Sequence, residues 1–286
     1  MEYAVDISTG QFFEAAHIVV PIGTQCITPA DREIIKKKSE RARRKTNSVM
    51  LGRGISSFYF VIAKEPLCKL SPATLGRLVY LSSFLEYEGN RLVTDRNMTA
   101  IKQKDLPKLL SISNAAVTEF LKETSPAFLI KNEDGELMIN NDFFRFGQLS
   151  LSARNKAHQK VFRAGIRKLY RENSKKTRYI GYILQALPHI SIEFNVMCWN
   201  PFERSEDLVE PMSLSEFGEL IGYDKTQVSR LKKVYEEIRF EVSGKRQRLL
   251  AFSQLGAHEN AIIVNPCLLY SGSDIERVRD LANHFA

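Results

Sequence analysis

Apolar residues in the stretch MSLSEFGELIGYDKTQVSRLKK, residues 212–233, fall into two short helical patterns separated by a glycine. Phe217, Leu220 and Ile221 give the first pattern one apolar face, and Val228 and Leu231 give the second an inward face. Ser213 or Ser215 is placed to cap the first helix, because a hydroxyl there accepts from a free backbone N–H. Gly222 ends that helix in the left-handed conformation a tight turn needs, and Asp224 caps the next. The spacing predicts a helix–turn–helix. Its second helix leaves Lys225, Thr226, Gln227, Ser229, Arg230, Lys232 and Lys233 outward, a mixture suited to base edges and phosphates.

The same pattern occurs earlier, in TAIKQKDLPKLLSISNAAVTEFLKE at 99–123. Asp105, Leu106, Leu110, Ser111, Val117 and Phe120 stand opposite Glu216, Phe217, Ile221, Gly222, Val228 and Leu231, an offset of 111. Upstream, LVYLSSFL at 78–85 matches IGYILQAL at 180–187, with Tyr80 over Tyr182 at an offset of 102. Downstream, INNDFFRFG at 139–147 matches VNPCLLYSG at 264–272, with Asn140 over Asn265 at 125. A steadily growing offset is what loop insertions in one of two related copies produce. Strand-like runs follow each helix–turn–helix. In the first copy 128–131 turns through Asn132, Glu133, Asp134 and Gly135 and returns along 136–140, with an Asp-Gly step that signals a hairpin. In the second copy 238–242 turns at Ser243 and Gly244 and returns along 248–254, before a further strand at 261–264, and the tip carries Lys245, Arg246 and Arg248. This order of elements predicts an α+β protein, mainly α, with two tandem winged helix-turn-helix domains.

The copies differ in charge. The first exposes Asn114, Ala115, Thr118 and Glu119 with Lys122 as the one cation, beside an acidic hairpin, so most phosphate contact is expected from the second. Between them lies ARNKAHQKVFRAGIRKLYRENSKKTR, 153–178, whose Ala157, Val161, Phe162, Ile166, Leu169 and Tyr170 recur at helical spacing. Lys160, Arg163, Arg167 and Arg171 form a second stripe on the same spacing, predicting a connecting helix with a cationic face. The expected organisation is 1–65, an N-terminal segment with a basic arm; 66–150, the first winged helix; 151–178, the basic helix; and 179–286, the second winged helix with a C-terminal helix.

Composition adds direction to this picture. The net charge is +8 at 44% hydrophobic and 26% charged residues, an ordinary globular balance. Residues 31–45 hold eight Lys or Arg against three acids, a local +5, and residues 151–179 hold ten against Glu172, a local +9. The rest of the chain therefore sums to −6, and such segregation is the electrostatic footprint of a partner for a polyanion. The first basic stretch, DREIIKKKSERARRKTNSVMLGRG, reads as an arm or short helix following a backbone or entering a minor groove. Residues 17–22, HIVVPI, are strand-like. Near the other end, Ser273 and Glu276 resemble a capping box before a helix whose Ile275, Val278, Ala282 and Phe285 share a face, expected to pack back on the second domain.

No catalytic centre, cofactor site or metal site is read from the residues. His17, His158, His189, His258 and His284 are scattered, Cys26, Cys68, Cys198 and Cys267 are isolated in sequence, and no phosphate-cradling glycine loop is present. The cysteines are expected to be reduced core residues, without a signal peptide or a membrane span, which implies a cytoplasmic protein.

The stretch LSPATLGRLVYLSSFL, 70–85, followed by KQKDLPKLLSISNAAVTEFLKE, resembles winged-helix proteins of bacterial plasmids and phages that initiate replication or regulate transcription. Tandem winged helices in one chain of this size are similar to plasmid initiators that dock on repeated origin sequences. The resemblance implies sequence-specific binding of double-stranded DNA in a bacterial host cell, without catalysis, with homodimerisation or contact with replication or transcription proteins as further partners and no membrane association. The alternative expectation is a protein-interaction adaptor whose winged helices contact a polymerase or replisome component.

Overall fold

A computed structural model describes residues 2–5, 12–15, 29–62, 64–95, 97–154, 158–242, 244–255, 258–272 and 274–285. About 49% helix and 19% strand make the chain α+β and mainly α, as expected. It divides into two compact units, Met1–Met50 and Leu51–Ala286. The first holds an antiparallel hairpin, β1 (Glu2–Val5) and β2 (Phe12–Ala15), with Glu2 opposite Ala15. Its basic stretch is helical throughout, as part of α1 (Pro29–Gly54), where Lys37 pairs with Glu33 one turn away. The strand-like run 17–22 and Cys26 lie outside the described residues. No helix among the described residues is long and apolar enough to cross a membrane.

In the second unit the chain runs through β3 (Phe58–Val61), α2 (Lys64–Leu67), α3 (Pro72–Ser82), α4 (Leu106–Leu110), α5 (Asn114–Thr124), β4 (Leu129–Lys131), β5 (Leu137–Ile139), β6 (Phe144–Arg145) and α6 (Leu151–Arg154). It then repeats that order with β7 (Gln159–Phe162), α7 (Arg163–Glu172), α8 (Thr177–Gln185), α9 (Leu214–Leu220) and α10 (Val228–Glu237). Two hairpins follow, β8 (Arg239–Val242) with β9 (Lys245–Arg248) and β10 (Leu250–Leu255) with β11 (His258–Val264), then β12 (Leu269–Tyr270) and α11 (Ile275–Ala282).

The two copies meet with two-fold geometry. One sheet has the order β12-β7-β3-β6, so a central strand from each copy pairs antiparallel with the other and is flanked by its own copy's edge strand. Above it α3 and α8 cross so closely that only glycine fits at the contact. A Cβ on Gly76 would stand 2.9 Å from the carbonyl oxygen of Thr177, and one on Gly181 would collide with that of Pro72. Each glycine therefore packs on the opening residue of the other helix. Leu75, Leu78 and Val79 share one apolar cluster with Ile180, Ile183, Phe217 and Leu231, so a continuous core supports both helix–turn–helix units. A second cluster receives Ile275, Val278, Leu281 and Phe285, so α11 packs back as expected. Its N-cap is Asp274, which accepts from the Glu276 N–H; Ser273 lies outside the described residues.

Backbone pairing sets the register of the repeat. Bridges Leu85–Leu92 and Val93–Ala100 recur as Ile190–Met197 and Cys198–Pro211, which gives an offset of 105 up to Val93 and 111 from Ala100. The helices α3 and α8 are thus related by 105, three residues from the expected 102. Three residues are nearly one helical turn, so either alignment superposes apolar on apolar. Through the helix–turn–helix the expected 111 holds, with Ser111 and Gly222 both left-handed at φ 54° and 63°. Past it, Phe128 and Leu249 are equivalent, since their carbonyls accept from the Asn140 and Asn265 N–H groups. These two asparagines turn the chain identically. Asn140 Oδ1 accepts from Asp142 N–H and Asn265 Oδ1 from Cys267 N–H, while their carbonyls take the Phe144 and Leu269 N–H groups, at the expected 125.

The hairpin expected between 238–242 and 248–254 does not form as such: β8 pairs with Lys245–Arg248, and the β10–β11 pair, Leu250 opposite Val264, is the counterpart of β4–β5, Leu129 opposite Ile139. The β8–β9 hairpin is an insertion between the helix end and that counterpart, and Leu249 and Leu250, buried, mark the join. The basic connecting helix is also not continuous. Residues 159–162 are the central strand β7, buried at every position, and the helix starts only at Arg163.

Candidate nucleic-acid interface

Local chemistry builds the second helix–turn–helix. Ser213 caps α9 by accepting from the Glu216 N–H at 3.2 Å, while Glu216 accepts the Ser213 N–H at 2.7 Å, a reciprocal pair that satisfies two otherwise free donors. Gly222 makes the turn, and Asp224 opens the next helix by accepting from the Thr226 N–H at 2.9 Å. The Thr226 hydroxyl and then its N–H hold the Asp224 carboxyl below its ordinary range, so it stays ionised at the head of a 3-10 turn, Lys225–Gln227, that leads into α10. Leu231 and Tyr235 anchor α10, with the Tyr235 hydroxyl donating to the Tyr179 carbonyl at 3.0 Å.

The cations and amides expected to read bases fall into two groups. Lys225 pairs with Glu219 at 3.2 Å, the Thr226 hydroxyl donates to Asp224 at 2.7 Å, and the Gln227 amide reaches the same carboxylate at 3.3 Å. These three are pre-positioned by the motif's own acids. Ser229, Arg230 and Lys233 are exposed, and Arg230 and Lys233 pair with no acid among the described residues. Lys232 lies 5.2 Å from the centre of the Phe252 ring, a cation–π contact.

The β8–β9 hairpin concentrates charge further. Lys245, Arg246 and Arg248 are exposed, and none has an acidic partner within ion-pair distance among the described residues. They stand along the β9 strand rather than at the tip, which Gly244 makes at φ 78°. Arg239, not among the expected contacts, faces Arg248 directly across the ladder, and Glu241 faces Arg246. Burial, then Arg248 and Arg246, push the Arg239 guanidinium below its ordinary pKa. Like charges directly opposite in a ladder repel. Arg239 caps the α10 carbonyl of Glu236, and Lys168 reaches Glu241 at 3.6 Å, so α7 lies beside the hairpin. The alternation around Ser243-Gly244 places Arg239 opposite Arg248 and was the signal for it.

Other expected contacts are turned inward. Lys160, on β7, is 5% exposed and donates to the Ser271 carbonyl at 2.9 Å and to that of Gly272. Arg163 and Arg167 converge on Ser83, the residue that ends α3. Arg163 Nε donates to its carbonyl at 2.6 Å, and Arg167 donates to its hydroxyl at 2.9 Å and its carbonyl at 2.6 Å. Asp95 pairs with both, and the two guanidinium groups lie 4.4 Å and 4.1 Å from the Phe146 and Phe84 ring centres. These arginines cap the negative end of a helix in the other copy, which is why the expected cationic stripe does not form. Arg171 stays exposed, with a long contact of 3.4 Å to the Tyr80 hydroxyl.

In the first copy, Asn114 and Thr118 line a groove with Gln103, Lys104 and Pro107, while Lys122 is paired with Glu119 at 2.8 Å. Cys198 and Cys267 are buried and Cys68 is half-buried, each with its thiol pushed up to about 11 by burial, so these three stay protonated and unreactive near neutrality. No family model, curated protein or solved structure matches this chain.

Proposed function

We propose that this protein binds double-stranded DNA through its second helix–turn–helix and the inserted β8–β9 hairpin, without catalysis. Each helix–turn–helix, with the hairpin equivalent to β4–β5 or β10–β11, is read as a winged helix, and the β8–β9 hairpin as a cationic finger added to the second. The observation that carries the reading is the set of cations with no acidic partner among the described residues, Arg230, Lys233, Lys245, Arg246 and Arg248, on one helix and the hairpin that follows it, with Arg239 held against Arg248. Phosphates relieve that repulsion and release counterions on binding. Thr226 and Gln227, fixed by Asp224, and Arg230 are the groups for base edges. The resemblance to plasmid and phage winged-helix proteins supports a role as a replication initiator or transcriptional regulator.

Fluorescence anisotropy at fixed salt on a panel of duplexes tests this. Arg230→Ala changes sequence preference and weakens the best site by about 1–3 kcal/mol, whereas Arg246→Ala weakens all duplexes alike. Unchanged binding in both variants rejects the assignment.

A further inference from the structure

The second copy carries another insertion, with opposite chemistry. Where the first copy passes from Val93 to Ala100 through residues 94–99, the second passes from Cys198 to Pro211 through residues 199–210, twice the length, between bridges that match on either side. The first copy completes the same fold without the extra residues.

This longer loop is closed by its own hydrogen bonds. The Trp199 N–H donates to the Glu210 carbonyl at 3.0 Å, and the Asn200 amide clamps both arms, donating to the Leu208 carbonyl and accepting the Glu210 N–H at 2.8 Å each. Glu203 accepts the N–H groups of Arg204 and Ser205 at 2.7 and 2.8 Å. Glu206 is tied to Arg277 of α11 at 3.4 Å.

On this hydrogen-bonded frame the loop exposes large apolar side chains: Trp199 at 47%, Phe202 at 63% and Leu208 at 64%. Trp199 is held by its Nε1 bond to Glu216 and its edge contact with His189, whereas Phe202 and Leu208 project from the loop. A pre-ordered Trp beside Phe and Leu is the composition of an interface hot spot, with the ordering cost of association already met. Around them stand Glu203, Asp207 and Glu210 against Arg204, with Glu206 already paired to Arg277, in a chain whose overall charge is +8. Acidic side chains repel nucleic acid and anionic lipid, and two copies of the same acidic face repel each other. They attract a basic protein segment.

We propose that the loop 199–210 is a docking surface for a partner protein that presents a basic helix or peptide with apolar anchors. The inference stands apart from the DNA reading. Trp199 also donates from Nε1 to Glu216 Oε1 at 3.1 Å, which ties the loop to the residue that caps the first helix of the helix–turn–helix.

Trp199 is the chain's single tryptophan and reports occupancy directly. The full-length protein is titrated with a helical peptide of Lys and Leu, the same peptide with Glu for Lys, and phosphatidylcholine vesicles, and its emission is followed over a concentration series of the chain alone. The expected result is a blue shift of Trp199 emission with the basic peptide alone, weakened by salt. Phe202→Ser with Leu208→Ser, and separately Asp207→Lys with Glu210→Lys, weaken that binding at least about tenfold while leaving the thermal melt unchanged, because all four side chains are exposed. Equal response to both peptides, response to vesicles or to the chain itself in place of the basic peptide, or affinity unaffected by either pair overturns the proposal.

Discussion

Arg167 distinguishes a cation that faces phosphate from one that holds the protein together. Its guanidinium gives hydrogen bonds to the hydroxyl and carbonyl of Ser83, pairs with Asp95, and lies over Phe84. Ser83 is fully buried, so Arg167→Ala leaves an oxygen pair at the end of α3 short of donors, at roughly 1–3 kcal/mol. Loss of the cation–π contact adds about 0.5–1 kcal/mol, and the ion pair, whose Asp95 side chain is 57% exposed, adds little. Arg163 still reaches the Ser83 carbonyl, which lowers the total. The expected loss is about 2–3 kcal/mol in urea unfolding, with duplex-DNA affinity and its salt slope unchanged where the variant remains folded. A variant of parental stability whose DNA affinity falls refutes the inward assignment and returns this arginine to the nucleic-acid face.

The equivalent turn residues give a paired test. Gly222→Ala introduces a Cβ at φ 63° and destabilises by about 1 kcal/mol, whereas Ser111→Gly at φ 54° relieves strain and is neutral to stabilising by up to about 1 kcal/mol, both read from unfolding midpoints. A Ser111→Gly variant destabilised as much as Gly222→Ala contradicts the equivalence of the turns. Burial lowers the Lys160 pKa from 10.5 to about 8. Between those values the unfolded chain holds a proton that the native state has released, so this group makes stability rise with pH from 8 to 10.5. Lys160→Met removes that rise, and the difference in unfolding free energy between parent and variant across the window measures it; a pH-independent difference refutes the shift.

What the sequence made legible was local. Ser213, Gly222 and Asp224 act through hydrogen bonds and backbone angles within a few residues, so their roles can be read from spacing. Asn140 and Asn265 matched for the same reason, each building its own turn. The three-residue shift between α3 and α8 was hidden because helical periodicity repeats nearly every three or four residues. The β8–β9 insertion was hidden because 248–254 reads as one returning strand, and only the separate partners of Arg248 and Leu250 show that the adjacent Leu249 and Leu250 join two hairpins. Lys160, Arg163 and Arg167 were misplaced because their partners, the carbonyls after β12 and at the end of α3, are brought near only by tertiary packing. Residues 199–210 carried their signal in an exposed Trp, Phe and Leu among acids, but only the bridges on either side reveal them as an insertion.

The most direct test of the account is the salt dependence of duplex-DNA affinity for the parent and for Lys245→Ala, Arg246→Ala and Arg248→Ala combined. All three side chains are exposed, so the fold is retained and circular dichroism verifies it. The account predicts tight, salt-sensitive binding by the parent, and a slope of log K against log salt reduced by about 0.9 for each phosphate contact removed. A parent that does not bind duplex DNA, or a triple variant with the parent's affinity and slope, contradicts it.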